Sequence, residues 1–338
     1  MKNIRIGILG MGRIGKIHLE NLCTRIPGAE VVGVMNPSAA GLEYAGRFNV
    51  PLLTQNADEL IGHPGIDAVV IAAPTNAHAG YAIAAARAGK AIFCEKPIDL
   101  SLPRVLETLQ AVEEAAVPMM LAFNQRLDPN FAAVREAIDA GKFGTIHSIH
   151  IISRDPAPPP VSYIKASGGL FMDMTIHDLD MASHLVDSAV AEVYARGFNL
   201  VDPEIGKAGD IDSAVVILTF RNNVTVTIHN SRRAVYGYDQ RLEVFGSEGM
   251  MQVGNPLKTT GIFYDLNGGQ TARHLDFFID RYSESYLREM NAFIQALQTN
   301  SRMPITGRDG LRAMILALAA NLSAKENRPV KPEEIYRM

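Results

Sequence analysis

The stretch Gly10-Met11-Gly12-Arg13-Ile14-Gly15 constrains this chain more than any other, because it separates an apolar β-branched run, Ile4–Leu9, from a segment with helical texture. Between a strand and a helix, GxGxxG carries a mechanism rather than a coincidence of composition. Gly10 allows the tight turn, Gly12 lets the backbone approach a pyrophosphate, and Gly15 permits close packing of the helix on the sheet. The helix N-terminus then offers the positive end of its dipole to the anion. A dinucleotide cofactor is therefore expected.

The second strand-like run ends Val34-Met35-Asn36-Pro37-Ser38. An acidic residue usually reads the ribose hydroxyls at this point. Asn36 can hydrogen-bond a ribose without repelling a 2′-phosphate, and Arg13 can stack on adenine or pair with that phosphate. NAD is the first choice of cofactor, with NADP or use of both left open.

From Asn3 to Phe123 short β-branched runs alternate with helical segments. Strands are expected at Ile4–Leu9, Val31–Met35, Asp67–Ala72, Ala91–Cys94 and Met119–Ala122, with Ala-rich helices such as Ala77–Ala88 between them and Gly89 as a helix C-cap. Repeated βαβ units of this kind build a doubly wound parallel sheet. After Asn124 the texture changes. One helix, Pro129–Ala140, precedes strand-like runs at Thr145–Ser153, Val190–Asn199, Ser213–Arg221, Val224–Arg232, Gln240–Phe245 and Gly261–Leu266, and two helices, Ser285–Gln298 and Gly307–Lys325, follow. That order predicts an open, predominantly antiparallel sheet. The expected organisation is an α/β chain with a dinucleotide-binding domain at 1–123 and a substrate-binding and oligomerisation domain at 124–338. Its open sheet needs cover from helices or from another subunit, so a homo-oligomer is expected.

Charge and cysteine content narrow the partners. With a formal net charge of −4 the 338-residue chain has no basic field for nucleic acid or an anionic membrane surface. Its apolar runs stop far short of the ~20 residues of a membrane span. Cys23 and Cys94 lie in apolar segments without metal or disulfide spacing, which fits a reducing cytoplasm.

Chemistry concentrates in two segments, Cys94-Glu95-Lys96-Pro97 at a strand end and Gly168 to Asp180 in the second half. On a helix Asp173, His177, Asp180 and His184 fall at i, i+4, i+7 and i+11, one polar stripe beside the apolar stripe of Leu170, Met174, Met181 and Leu185. The expectation is that the apolar stripe is buried and the polar one faces a cleft. Ligands of doubly wound sheets bind at the carboxyl ends of the strands, which brings Lys96 toward the same cleft. Oxidising a secondary alcohol needs a base for the hydroxyl proton while hydride leaves the carbon, and a neutral histidine suits that task near pH 7. His177 is the candidate base. Asp173 can orient it or bind the hydroxyl, and the Lys96 ammonium can stabilise developing alkoxide charge. A metal held by His177, Asp180 and His184 is not expected, because Lys96 would compete with the cation.

Taken together, these motifs resemble the Gfo/Idh/MocA family of oxidoreductases, which includes glucose-fructose oxidoreductase and inositol dehydrogenases. The resemblance spans nearly the whole chain and rests on Gly10 to Gly15 with His18 following, Ala73-Pro74-Thr75-Asn76-Ala77-His78, Glu95-Lys96-Pro97, and the Asp173 and His177 pair. It implies a Rossmann domain joined to an α/β domain with an open antiparallel sheet, assembled as dimers or tetramers through the sheets. It also implies cofactor contacts from Gly10, Gly12, Arg13, Ile14, Gly15, Asn36, Ala73, Pro74, Thr75, Asn76, His78, Glu95 and Lys96, and a catalytic trio of Lys96, Asp173 and His177.

Within the family, the segment from Ser153 to Pro160, followed by Tyr163-Ile164 and Ser167-Gly168-Gly169-Leu170-Phe171, is similar to one branch of bacterial inositol 2-dehydrogenases. The implied reaction is oxidation of myo- or scyllo-inositol to the 2-keto inosose. Asn124, Arg126, Asp155 and Tyr236 then become candidate contacts to ring hydroxyls, beside Lys96, Asp173 and His177. Two alternatives stay open: an aldose dehydrogenase or NADPH-dependent keto-sugar reductase, and a non-catalytic nucleotide-binding sensor on the same fold.

Overall fold

The computed structural model describes residues 3–337, which divide into two compact units: one formed by residues up to Leu127 together with Ser285–Arg312, the other by Asp128–Glu284 with the chain from Ala313 onward.

In the first unit six parallel strands, β1 (Ile4–Leu9), β2 (Ala29–Met35), β3 (Leu52–Thr54), β4 (Ala68–Ile71), β5 (Ala91–Glu95) and β6 (Met119–Ala122), lie in the order β3-β2-β1-β4-β5-β6. Ile6, Ile8, Val69, Val70, Ile92 and Phe93 are all fully buried. Strands covered on both faces read as continuous apolar runs rather than alternations, which is why five of the six are evident from sequence. The three-residue β3 is too short to show a period. The order reverses direction between β1 and β4, so the loops after these two strands diverge and leave room for a ligand at the sheet's carboxyl edge.

The second unit holds a six-stranded sheet, β12-β11-β7-β10-β9-β8, built from β7 (Ile146–Arg154), β8 (Val190–Phe198), β9 (Ser213–Phe220), β10 (Thr225–Ser231), β11 (Asp239–Gly246) and β12 (Met250–Val253). Only the β7–β10 pair is parallel. Register shows how the sequence fixes it. Ala195, Val216, Ile228, Ile151, Leu242 and Val253 are successive cross-strand partners, and every one is buried. Each larger side chain in that row contributes on the order of 2 kcal/mol by leaving water, and a one-residue slip would turn the whole row outward. The opposite face keeps Phe198 and Phe245 exposed.

Two expectations need correction. Residues 124–338 do not form one unit: Asn124–Leu127 and Ser285–Arg312 pack with the parallel sheet, where Leu121 of β6 donates its N–H to the Ile305 carbonyl and Gln298 bonds the Gly28 carbonyl. Sequence periodicity marks a helix but not the surface it covers, and here chain return decides. The run Gly261–Leu266 does not join the large sheet either. It forms a separate exposed hairpin, β13 (Ile262–Asp265) with β14 (Gly268–Thr271).

Candidate active site

In the first unit the glycine loop fits the three roles read from its spacing. Gly10 has φ +103°, and a Cβ there would meet the Ala72 carbonyl oxygen at 2.6 Å. A Cβ on Gly15 would lie 2.0 Å from the Gly10 carbonyl oxygen, so the helix Arg13–Thr24 can reach the loop only with glycine there. A Cβ on Gly12, by contrast, would meet nothing within 4 Å. That open space lies before the helix N-terminus, with Arg13 exposed and Ile14 half-buried beside it, and it is the fit a pyrophosphate requires.

Asn36 sits at the end of β2, but its amide is already engaged. Its Oδ1 accepts from the Met11 N–H at 2.9 Å, and its Nδ2 donates to the Ser38 carbonyl and Ser38 Oγ at 3.0 and 2.9 Å. Rather than standing clear as a ribose reader, Asn36 ties the glycine loop to the turn after β2. His78 is similarly occupied: it is buried, with Nε2 2.7 Å from the Ala73 carbonyl and Nδ1 2.8 Å from the Pro97 carbonyl. It clips the loop after β4 to the loop after β5. Ala73, Pro74, Thr75 and Asn76 form that β4 loop and the start of the helix Thr75–Arg87, at the same edge as the glycines.

Lys96 follows β5, is half-buried, and precedes a cis Pro97. Glu95, expected as a cofactor contact, turns to the helix behind the glycine loop and pairs with His18 Nε2 at 2.8 Å. Asn124 and Arg126, expected at the substrate, are drawn into the first unit. Asn124 Nδ2 donates to Ser285 Oγ at 3.0 Å, and Arg126 Nη2 meets Asp309 Oδ1 at 3.2 Å. Burial alone would raise the Asp309 carboxyl, yet the Arg126 charge and hydrogen bonds from Thr306 hold it below its ordinary value. Both residues lie on a 3₁₀ turn, Asn124–Leu127, whose partners come from two helices, Ser283–Thr299 and Gly307–Glu326, 161 and 183 positions away.

In the second unit Asp173 lies on a π-helical turn, Phe171–Thr175, that runs into the helix Ile176–Leu185 carrying His177. Such turns mark functional positions often, because the extra residue re-aims a side chain. Gly168 and Gly169 reach φ +83° and +84° to start the segment, and Asp210 Oδ1 accepts from the Leu170 N–H at 3.0 Å. Asp173 is gripped from two sides: Arg232 Nη1 donates to its Oδ2 at 3.0 Å and the Tyr163 hydroxyl to its Oδ1 at 2.8 Å. Burial and then the Asp173 charge push the Tyr163 phenol up, so it remains a donor. The same buried guanidinium lies 3.6 Å from Asp155 Oδ2 and 4.0 Å from Asp210 Oδ2. Three carboxylates thus surround one arginine.

The polar stripe is only partly as expected. Asp173, His177 and His184 are half-buried, but Asp180 is buried, as are Phe171, Met172, Ile176 and Leu179 outside the apolar stripe. This helix is enclosed nearly all round. Asp178 is fully buried as well; it accepts from Asn230 Nδ2 at 2.7 Å, and Asn230 Oδ1 accepts in turn from Thr175 at 2.8 Å. Tyr236 is not gathered here: its hydroxyl bridges Arg154 and Asp239 at 2.8 and 2.7 Å. Arg232, absent from the expected site, has one sequence signal: it ends a strand whose alternation would turn it inward, where a cation needs anions.

Residues 4–123 match the family model of the NAD-binding Rossmann fold of this oxidoreductase family, and residues 131–252 match the Gfo/Idh/MocA C-terminal domain. The chain belongs to the Gfo/Idh/MocA oxidoreductase family. The Rossmann expectation is thereby met, the strand pairing meets that of a predominantly antiparallel second sheet, and the cofactor is NAD. A Gfo/Idh/MocA relative, the myo-inositol 2-dehydrogenase of Thermotoga maritima, is 45% identical over 333 residues, 98% of this chain and 99% of that protein. The inositol 2-dehydrogenase of Rhizobium meliloti is 45% identical over 329 residues, 97% of this chain and 98% of that protein. A solved structure of scyllo-inositol dehydrogenase from Lactobacillus casei, with bound NAD(H) and scyllo-inositol, aligns with a TM-score of 0.92 at 31% identity, covering 98% of this chain and 100% of that one.

Proposed function

We propose that this NAD(P)-dependent oxidoreductase is an inositol 2-dehydrogenase, oxidising the CH–OH group of myo- or scyllo-inositol to the 2-keto inosose. The observation that carries this reading is 45% identity along nearly the entire length to a myo-inositol 2-dehydrogenase, with Lys96, Asp173 and His177 all present in this chain.

Bound NAD supplies the hydride acceptor. His177 takes the hydroxyl proton as hydride leaves the carbon, a role for which an imidazole titrates in the right range. Asp173 binds a hydroxyl or orients His177, and the grip of Arg232 and Tyr163 supports this by holding its carboxylate in one geometry. Lys96 stabilises negative charge developing on the substrate oxygen. Asp155, which shares Arg232 with Asp173, is the remaining candidate for a ring hydroxyl.

The same reading includes a homo-oligomer, dimer or tetramer, assembled through the second unit. It is supported by Leu200, Phe198, Phe245, Met250, Phe263 and Leu266, all exposed on that unit. No described helix is long and apolar enough to cross a membrane, and the cytoplasm is the proposed location. The test is absorbance of the reduced nicotinamide during incubation with NAD or NADP and a panel of myo-, scyllo- and chiro-inositol, glucose, galactose and glucuronate. Turnover of inositols supports the reading. Turnover of aldoses alone replaces the substrate, and turnover of none returns the fold to a nucleotide-binding sensor.

A further inference from the structure

A cluster of ionisable groups lies inside the first unit. On the helix Ser283–Thr299, Tyr286, Glu289, Met290, Phe293 and Ile294 share one buried stripe, so Glu289 is a carboxyl group in an apolar face. It is fully buried, and neither of its oxygens has a hydrogen-bond partner among the described residues. His18, equally buried, stands on the glycine-loop helix with its ring against Phe93 and Tyr286, and its Nε2 pairs with Glu95 Oε1 at 2.8 Å. One ligating atom from each of His18, Glu95 and Glu289 falls within 4.8 Å of the others.

Such a set can hold either a cation or a proton. Two ligands of one tetrahedral ion, each about 2.0–2.1 Å from it, stand roughly 3.3 Å apart. The His18 to Glu95 separation of 2.8 Å is that of a shared proton instead. Two carboxylates this close, one of them without donors, do not both ionise in a low dielectric. Glu289 is the one that stays neutral: burial first, and then the Glu95 charge, raise it well above the carboxylate range. The titratable groups facing it are Glu95 from β5 and His18 from the glycine-loop helix, while Tyr286 of its own helix faces His18.

We propose that Glu289 is a positioning residue, a neutral acid packed beside Glu95, so that the two carboxyls never repel one another and Glu95 stays paired with His18, which fixes the end of β5 from which Lys96 follows. Charge on Glu289 would repel Glu95 from His18 and loosen both the strand end and the helix that follows the glycine loop. The kinetic consequence rests on the reading above that Lys96 serves the substrate; the protonation of Glu289 does not.

The experiment compares wild type with E289Q, which keeps the shape and a donor, and E289A, which keeps neither. Infrared spectra at pH 7, with and without deuterium exchange, should show a protonated-carboxyl band in the wild type minus E289Q difference, where the contribution of Asp178, common to both proteins, cancels. E289Q should hold turnover and NAD affinity close to wild type, whereas E289A should lose turnover by about tenfold or more, as expected when a reacting group is displaced by a fraction of an ångström. Absence of the band, an E289Q defect as deep as that of E289A, or one metal ion per purified chain would each overturn the proposal. Where E289A does not fold, the band and E289Q decide alone. Where wild type turns over no polyol, the function reading falls, and the band together with NAD affinity still decides the cluster.

Discussion

Arg232 Nη1 lies 3.0 Å from Asp173 Oδ2, an ion pair in which the arginine side chain is 2% exposed and the carboxylate 12%. A guanidinium so enclosed has given up its hydration, and among the described residues the carboxylates of Asp173, Asp155 and Asp210 compensate it. Arg232→Met would leave that group of anions without its cation. The expected outcome is a loss of about 3–5 kcal/mol in stability and a fall in kcat/KM of about a hundredfold as Asp173 loses its fixed geometry. Arg232→Lys, which restores charge without the planar fork, should recover stability more than rate. Urea unfolding and steady-state kinetics on both variants check this, and normal kinetics in the methionine variant would remove Arg232 from any part in the reaction.

His177 stands in the first turn of its helix, half-buried, in the segment next to the Asp173 turn. Its replacement by alanine should depress turnover by about a hundredfold or more, the usual contribution of a general base, while NAD binds as before because the glycine loop belongs to the other unit. Inositol oxidation rates and NAD titration by fluorescence measure the two separately. Unaltered turnover would take the base assignment away from His177.

The glycine loop allows stability and cofactor binding to be separated. Gly12 has φ −69° and ψ −166°, a conformation open to alanine, and its Cβ would meet nothing in the chain. Gly12→Ala should therefore melt at or slightly above wild type, within about 1 kcal/mol, yet lose NAD affinity because the methyl group occupies the path of the pyrophosphate. Gly15→Ala places a methyl 2.0 Å from the Gly10 carbonyl oxygen and should cost about 1–3 kcal/mol even without cofactor. Thermal unfolding with and without NAD distinguishes the pair. Equal affinity of Gly12→Ala and wild type would mean that the dinucleotide lies elsewhere.

What was legible in the sequence follows the range of the forces involved. Apolar runs and alternation report burial along the chain itself, so β1, β4, β9 and β10 could be placed within a residue or two. Gly10 and Gly15 could be assigned because their constraint is local backbone geometry. Asn124 and Arg126 could not, since their partners Ser285 and Asp309 lie more than 150 positions away and nothing near them in sequence announces those contacts. Asn36 shows another limit: an amide at the end of β2 can be read toward a ribose, but nothing in the sequence announces that the Met11 N–H and Ser38 also engage it. Glu289 did leave a trace, a carboxylate in the middle of an apolar stripe, whose meaning depends on a histidine from the far end of the chain.

Asp178, next in sequence to His177, gives the second unit a pH dependence with a definite sign. Full burial raises its carboxyl to about 7, with the Asp155 charge adding to the effect and the hydrogen bond from Asn230 opposing it. In the unfolded chain an aspartate titrates near ~3.9. The folded form therefore holds the proton more tightly. The stability associated with that proton is complete below about pH 4 and is lost as pH rises through about 7, where folding must bury an ionised group. Asp178→Asn keeps a carbonyl to accept from Asn230 and removes the titration. Relative to this variant, wild type should lose on the order of 3 kcal/mol between pH 4 and pH 8. Urea unfolding of both proteins across that range cancels the titration of every other group, and a constant difference between them would mean that Asp178 is ionised throughout and that its pairing with Asn230 outweighs its burial.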